Sequence, residues 1–362
     1  MPCVWREWGS MTRVDRKWFI PDTVWVWGDE GWLVPLRRQD APSDWAELCQ
    51  SDDPIITQVD DGATDRGLEP TSSSSAPSLM QEMISMLDVE AGMKILEIGS
   101  GTGYNAALLA QLAGAENVTT VEVDPNVADH ARSALHKADF PVTVVTGDGA
   151  FGYPEHAPYD RVIATASVRD IPYTWVAQCR DSGRILLPWG SNLDSGGVLL
   201  TLTVHNDGTA EGKLSEPVAF MRVREQRRKN VSWSDDEYEG NFTQTTTSHF
   251  PREVFEVSST ARFAVGTRLP ELSPGKTKNR DGSHTYRISE YTSDSWASLT
   301  PGPHGKHIVR QQGARRLWDS LEAAYDWWLQ AGRPEPDRFG ITVTPEGQRI
   351  WLDSPDNDLP PL

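Results

Sequence analysis

An α/β fold built on a doubly wound, mostly parallel sheet is predicted for the middle of this 362-residue chain. Three observations predict it: short apolar runs alternate with helical ones over residues 76–204, a glycine turn follows the first run, and acidic residues close the next two. Short apolar strands alternating with helices imply a parallel sheet covered on both faces. Leu79, Met80, Met83, Ile84 and Leu87 recur at helical spacing and give the first helix. Residues 94–98 form the first strand, and 104–112 the helix after the glycine turn. Residues 118–123 are the second strand, and Asp124 caps a helix that begins at Pro125. Further strands are expected at 142–145, 161–165, 184–187 and 198–204.

The flanks have a different composition. Seven of the 15 Trp fall in the first 45 residues (Trp5, Trp8, Trp18, Trp25, Trp27, Trp32, Trp45). Residues 1–75 therefore read as a Trp-rich segment packing on the core, with the polar run 60–75 as a loop. Residues 76–229 are the core, and 230–362 a smaller α+β accessory domain for substrate recognition. In that domain 254–257 and 261–265 look like strands. An amphipathic helix covers 314–330, with Leu317, Trp318, Leu321, Ala324, Tyr325 and Trp328 on one stripe. A hairpin pairs 340–343 with 348–352.

Charge narrows the partners. Lys and Arg number 34 against 52 Asp and Glu, a formal net charge of −18. Such a balance disfavours nucleic acid and anionic membrane, both of which need clustered positive charge. No apolar run approaches the ~20 residues that span a bilayer. The first residues lack the apolar centre of a signal peptide, so a cytoplasmic protein is expected. Cys3, Cys49 and Cys179 are too scattered for a disulfide framework, and the eight His show no metal spacing, so no metal is expected. The glycosylation patterns at Asn230 and Asn241 are chance matches in such a protein. The basic run 221–229 reads as a solvated strand end, with capture of an acidic peptide as the sharper alternative.

The chemistry concentrates at Glu97-Ile98-Gly99-Ser100-Gly101-Thr102-Gly103. Glycines between a strand and a helix let backbone approach a ligand. A dinucleotide fingerprint needs a third glycine where this chain has Tyr104. The acidic residue followed by Gly-x-Gly-x-Gly resembles motif I of class I, Rossmann-like S-adenosylmethionine-dependent methyltransferases instead. Glu122 lies 19 residues beyond Gly103 at a strand end, where a carboxylate accepts both ribose hydroxyls. Asp148, before Gly149, is placed to accept the adenine amino group. The expected cofactor set is therefore Glu97, Gly99, Ser100, Gly101, Gly103, Glu122, Val123, Asp148 and Gly149, for S-adenosyl-L-methionine.

Four segments carry a narrower resemblance: 14–21, Ser75-Ala76-Pro77, Gly147-Asp148-Gly149 with Gly152 and 157–160, and 182–190. Together they resemble the protein-L-isoaspartate (D-aspartate) O-methyltransferase family over roughly residues 12–225. The resemblance implies methylation of a free isoaspartyl carboxylate in a peptide or protein, after which the ester collapses to a succinimide. A carboxylate with pKa near 4 is already ionised at pH 7, so no general base is called for. By the same resemblance Ser75 would sit beside the accepting carboxylate as the catalytic residue; a helix cap is its other reading.

The departures matter too. An acidic loop is inserted before Ser75, and Ser78, Leu79 and Met80 stand where animal members often carry a His after the proline. Repair enzymes of the family usually end soon after this core, whereas this chain continues for about 130 residues. Long forms of this kind resemble actinobacterial methyltransferases that act on ribosomally made, modified peptides. There a methylated Asp cyclises to aspartimide, which opens to isoaspartate. The alternatives are a general repair enzyme, a methyltransferase for a metabolite or nucleic acid, and a non-catalytic peptide-recognition module.

Overall fold

The computed structural model describes residues 14–194, 196–228 and 242–362. Cys3, Trp5, Trp8, Lys229, Asn230 and Asn241 lie outside the described residues.

The chain opens with a four-stranded antiparallel sheet of β1 (Thr23–Trp27), β2 (Leu33–Arg37), β3 (Ile55–Val59) and β4 (Pro70–Ser74), in the order β2-β1-β3-β4. Helix α1 (Pro42–Gln50) packs on it, with Trp45 buried among Ile20, Val24, Cys49 and Ile55. Trp25 is also buried, whereas Trp18 and Trp27 stay 52% and 63% exposed. The run 60–75, expected as a loop, thus ends in a strand. Its serines and threonines carry no apolar pattern, but they pair across the hairpin. Thr57 Oγ1 donates to Ser72 Oγ at 3.1 Å and Thr71 Oγ1 to Gln58 Oε1 at 2.9 Å. The whole segment docks on the core through Phe19, whose carbonyl lies 2.8 Å from His130 Nε2 and whose ring lies 6.0 Å from that of Tyr104.

The core begins with α2 (Pro77–Leu87), β5 (Ile95–Ile98), α3 (Tyr104–Ala113), β6 (Val118–Glu122), α4 (Pro125–Lys137) and β7 (Thr143–Thr146). It continues through β8 (Tyr159–Ala164), α5 (Tyr173–Ala177), β9 (Cys179–Trp189), β10 (Gly197–Val204) and β11 (Ala210–Val218). Strands β9-β8-β5-β6-β7 are parallel neighbours, and from β9 outward the pairing turns antiparallel. All four residues of β5 are buried, as a strand covered on both faces must be. Alanines on α3 let that helix sit close against the sheet. Asp124 caps α4 as expected, its Oδ1 accepting from the N–H groups of Asn126 and Val127 at 3.0 and 3.2 Å.

The rest of the chain corrects the expected organisation. The elements are β12 (Thr243–Thr247), α6 (Ser259–Arg268), β13 (Ser273–Lys278), β14 (His284–Glu290), β15 (Ser295–Pro301), β16 (His307–Gln312), α7 (Leu317–Gln330), β17 (Phe339–Thr344) and β18 (Gly347–Leu352). Strands β12 to β16 form a separate antiparallel sheet. The hairpin β17–β18, however, pairs with β11 and completes a nine-stranded core sheet, β18-β17-β11-β10-β9-β8-β5-β6-β7. The accessory region is therefore inserted between two neighbouring strands, and the boundary at 230 does not divide the sheet.

Residues 254–257 and 261–265 are helical, not extended. They fall in a single wide turn (Glu253–Val257) and in α6. Their β-branched and aromatic residues suggest strands, but Ser258 accepts from the N–H of Ala261 and starts a helix instead. Gly266 on α6 allows a close approach, because a Cβ there would meet Ser191 Oγ. Phe263 stacks edge-on against Trp189 at 6.0 Å, so the insertion shares its apolar core with the main sheet. Among the described residues, no helix is long and apolar enough to cross a membrane.

Candidate active site

The ends of the parallel strands surround an open cleft of about 990 Å³, solvent mouth included. Open α/β sheets place ligands at this edge. The floor is the turn after β5. Gly101 has φ +51°, and a Cβ on it would lie 3.0 Å from the Ser73 carbonyl oxygen, so glycine lets β4 pass close over the loop. The Gly101 N–H donates to Glu122 Oε2 at 3.0 Å, and the Asp124 N–H to Glu122 Oε1 at 3.1 Å. Glu122 ends β6, and burial pushes its carboxyl pKa up despite those two bonds. Asp148 Oδ1 accepts from the Ala150 N–H at 2.9 Å, which fixes the carboxylate at the mouth beside Gly149 and the half-exposed Val123.

Eight of the ten residues singled out from sequence line this cleft: Ser75, Gly99, Ser100, Gly101, Glu122, Val123, Asp148 and Gly149. Two do not. Glu97 is fully buried beneath the loop, where Asn105 Nδ2 donates to its Oε1 at 2.7 Å and Oε2 has no hydrogen-bond partner among the described residues. Burial pushes its carboxyl up to about 7. It joins β5 to the first turn of α3 instead of facing a ligand. Gly103, at φ +88°, packs on Leu135 of α4, to which a Cβ would come within 3.1 Å.

Ser75 ends the wall made by β4. It does not cap α2: the residue before that helix is Ala76, and the first-turn N–H of Ser78 goes to Asp52 Oδ1 at 2.8 Å. The roof is the basic run, which sequence reasoning placed in solvent. Residues 221–227 cross the cleft as a strap. One end pairs with Ser167, whose N–H donates to the Met221 carbonyl at 2.8 Å. At the other end Arg224 Nη2 reaches Asp61 Oδ1 at 3.0 Å and Asp124 Oδ2 at 3.2 Å, and Arg227 Nη1 meets both Asp61 oxygens at 2.8 Å. Arg222 donates to the carbonyls of Gly190 and Ser191 at 2.5 and 2.9 Å. The run itself was visible in sequence, but its acidic partners lie far away along the chain. Among the described residues no group of three or more His, Cys, Asp or Glu could hold a metal.

The geometry suits a nucleoside bearing an amino-acid arm. The glycine floor admits it, Glu122 closes the second parallel strand, and the apolar side chains of Ile98, Val121 and Val123 line the wall. With Tyr104 in place of a third glycine, these features define an S-adenosylmethionine-dependent methyltransferase of Rossmann-like fold.

Comparison with known proteins narrows the class. Residues 58–228 match the sequence profile of the protein-L-isoaspartate(D-aspartate) O-methyltransferases. The protein-L-isoaspartate O-methyltransferase of Methanothrix thermoacetophila is 42% identical over 200 residues, covering 55% of this chain and 79% of the relative. That of Hyperthermus butylicus is 36% identical over 222 residues, or 59% and 78% of the two chains. That of Methanocella arvoryzae is 48% identical over 118 residues, covering 32% of this chain and 63% of the relative. A solved protein-L-isoaspartate O-methyltransferase shares the fold with a TM-score of 0.50 at 21% identity, over 85% of this chain and 89% of its own. That likeness extends well beyond residues 58–228. The chain belongs to the protein-L-isoaspartate(D-aspartate) O-methyltransferase family, a family of enzymes.

Proposed function

We propose that the protein methylates the free carboxylate of an isoaspartyl or aspartyl residue held in a peptide chain. The observation that carries this reading is the position of Ser75. It stands in the wall of the cofactor cleft, released from helix capping by Asp52, with a strap bearing Arg222, Arg224 and Arg227 overhead. In a chain whose net charge is −18, Arg222 is the strap arginine without an ion pair among the described residues, since Arg224 and Arg227 are held by Asp61 and Asp124.

When bound, S-adenosylmethionine supplies a methyl group activated on a sulfonium. Gly99, Ser100 and Gly101 would cradle its amino-acid arm, Glu122 the ribose, and Asp148 with Val123 and Gly149 the adenine. The acceptor carboxylate is ionised at neutral pH, so the chain has no proton to remove. Among the described residues the cleft wall contains no histidine, and none is needed. The Ser75 hydroxyl donates to one carboxylate oxygen and leaves the other turned to the methyl. Orientation of this kind contributes several kcal/mol to such a reaction.

The finer reading is that the acceptor is one Asp of a ribosomally made, modified peptide. The following backbone nitrogen attacks the ester carbonyl and expels methanol, its N–H proton leaving with the methoxide, to give aspartimide, which water then opens to isoaspartate. Support comes from the insertion, whose helix α6 rests on the Ser191 turn that Arg222 of the strap also holds. A peptide gripped by the insertion would lie next to the cleft roof.

Two measurements test the proposal. Ser75→Ala should lose tenfold to a hundredfold in methyl transfer, as expected for one bond to a charged group, on the order of 1.5–3 kcal/mol. S-adenosylhomocysteine affinity should stay unchanged; a wild-type rate would remove Ser75 from the reaction. Methylation of an unstructured isoaspartyl peptide against a constrained peptide with a normal Asp addresses the finer reading. Fast turnover of any isoaspartyl peptide would make the protein a general repair enzyme.

A further inference from the structure

We infer that Asp52 and Arg16, neither of which lines the cleft, are positioning residues that hold Ser75 in register with it. The inference rests on the substrate role of Ser75 proposed above. Ser75 is bracketed by one short turn of the N-terminal segment, Ser51 to Asp53. On one side Arg16, itself buried, donates from Nε to Ser74 Oγ at 3.1 Å and from Nη2 to the Ser74 carbonyl at 2.8 Å. The same guanidinium donates to the carbonyls of Ser51 at 3.0 Å and Asp53 at 2.8 Å. On the other side Asp52 Oδ1 accepts the Ser78 N–H at 2.8 Å. The residue before Ser75 and the third residue after it are thus tied to one turn, while Ser75 faces the cleft between them.

Two features set this frame apart from ordinary packing. Arg16 satisfies its donors on three carbonyls and a hydroxyl, without a carboxylate ion pair among the described residues, and burial lowers its pKa. A buried charge bonded only to neutral groups is an expensive way to add stability but a stiff way to fix backbone. Asp52 supplies the helix-capping bond from a distance of 26 residues, where Ser75 could have supplied it locally. The bonds with Ser78 hold the Asp52 carboxyl below its usual pKa, so it stays ionised at neutral pH.

A double-mutant cycle tests the inference on the full-length protein. Asp52→Ala, Ser75→Ala and the double variant are compared in kcat and KM for an isoaspartyl peptide, S-adenosylhomocysteine affinity and Tm. Asp52 is an exposed loop residue, so the variant should fold. Asp52→Ala should lower kcat roughly threefold to tenfold with cofactor affinity unchanged, and Asp52→Asn, which keeps an acceptor oxygen, should recover most of the loss. In the Ser75→Ala background Asp52→Ala should cost nothing further, because it acts through that side chain. Equal losses in both backgrounds would overturn the inference, as would a wild-type kcat for Asp52→Ala when Ser75→Ala is slow. A wild-type rate for Ser75→Ala overturns it by a separate route, because the substrate role itself then fails.

Discussion

Gly101 and Arg224 both border the cleft, yet the bonds that place them differ in reach and in setting. Floor bonds are short in sequence and buried or part-buried. Gly101 to Glu122, Ser100 to Thr120 and Asn105 to Glu97 join residues 21, 20 and 8 positions apart. Roof bonds are long, and those to Asp61 are exposed, whereas the one to Asp124 ends on a buried carboxylate. Arg224 to Asp124 and Arg227 to Asp61 cross 100 and 166 positions, and the Asp61 side chain is 46% exposed. Buried bonds within one supersecondary unit set a geometry that salt does not reach. Exposed ion pairs contribute about 0–1 kcal/mol each and are screened by salt. On this contrast the floor is expected to set which ligand fits, and the roof how long it stays.

The largest expected effect breaks the floor. Gly101→Ala places a Cβ 3.0 Å from the Ser73 carbonyl, so either β4 or the loop must yield. Calorimetry should show S-adenosylhomocysteine affinity falling at least about tenfold, since a misplacement of ~1 Å is already costly. Unchanged affinity would mean that backbone approach does not shape this floor.

A smaller effect concerns stability. The Glu97 carboxyl sits at about 7 in the folded chain against 4.5 as its ordinary value. The folded protein thus keeps a proton that the unfolded chain has lost. This contribution is fully present below pH 4.5 and declines as pH rises through about 7, by an amount on the order of 3 kcal/mol. Glu97→Gln has no proton to lose. Denaturation at pH 5 and pH 8 should therefore show the wild type losing more stability than the variant, and parallel curves would refute the shift.

The smallest effect loosens the roof. Asp61→Asn should speed S-adenosylhomocysteine release a few-fold in stopped flow. High salt should copy the change in the wild type and add little in the variant. A release rate indifferent to both would leave the strap without a part in retention.

This division also decides what the sequence could reveal. Gly99, Glu122 and Asp148 stand at strand ends of a periodic α/β pattern, so their place at the cleft was readable. Glu97 was read as a ligand because an acid beside a glycine turn does not show which way its side chain points on a strand buried on both faces. Strand β4 is almost all serine and threonine, and its partner across the hairpin, not its composition, makes it a strand. The strap's residues were visible, but their purpose depends on Asp61 and Asp124, which only the folded chain brings near. The insertion was hidden for the same reason: pairing of β11 with β17 is a long-range event.

That pairing sets a timetable for synthesis. Between Val218, the last residue of β11, and Phe339, the first of β17, lie 120 residues. At typical elongation rates the edge of β11 stays without its neighbour for on the order of ten seconds while the insertion is made. An uncovered strand edge is a template for pairing with another chain. A fragment cut at residue 228 would keep every element of the floor and carry that edge permanently, so such a cut endangers solubility before it touches chemistry.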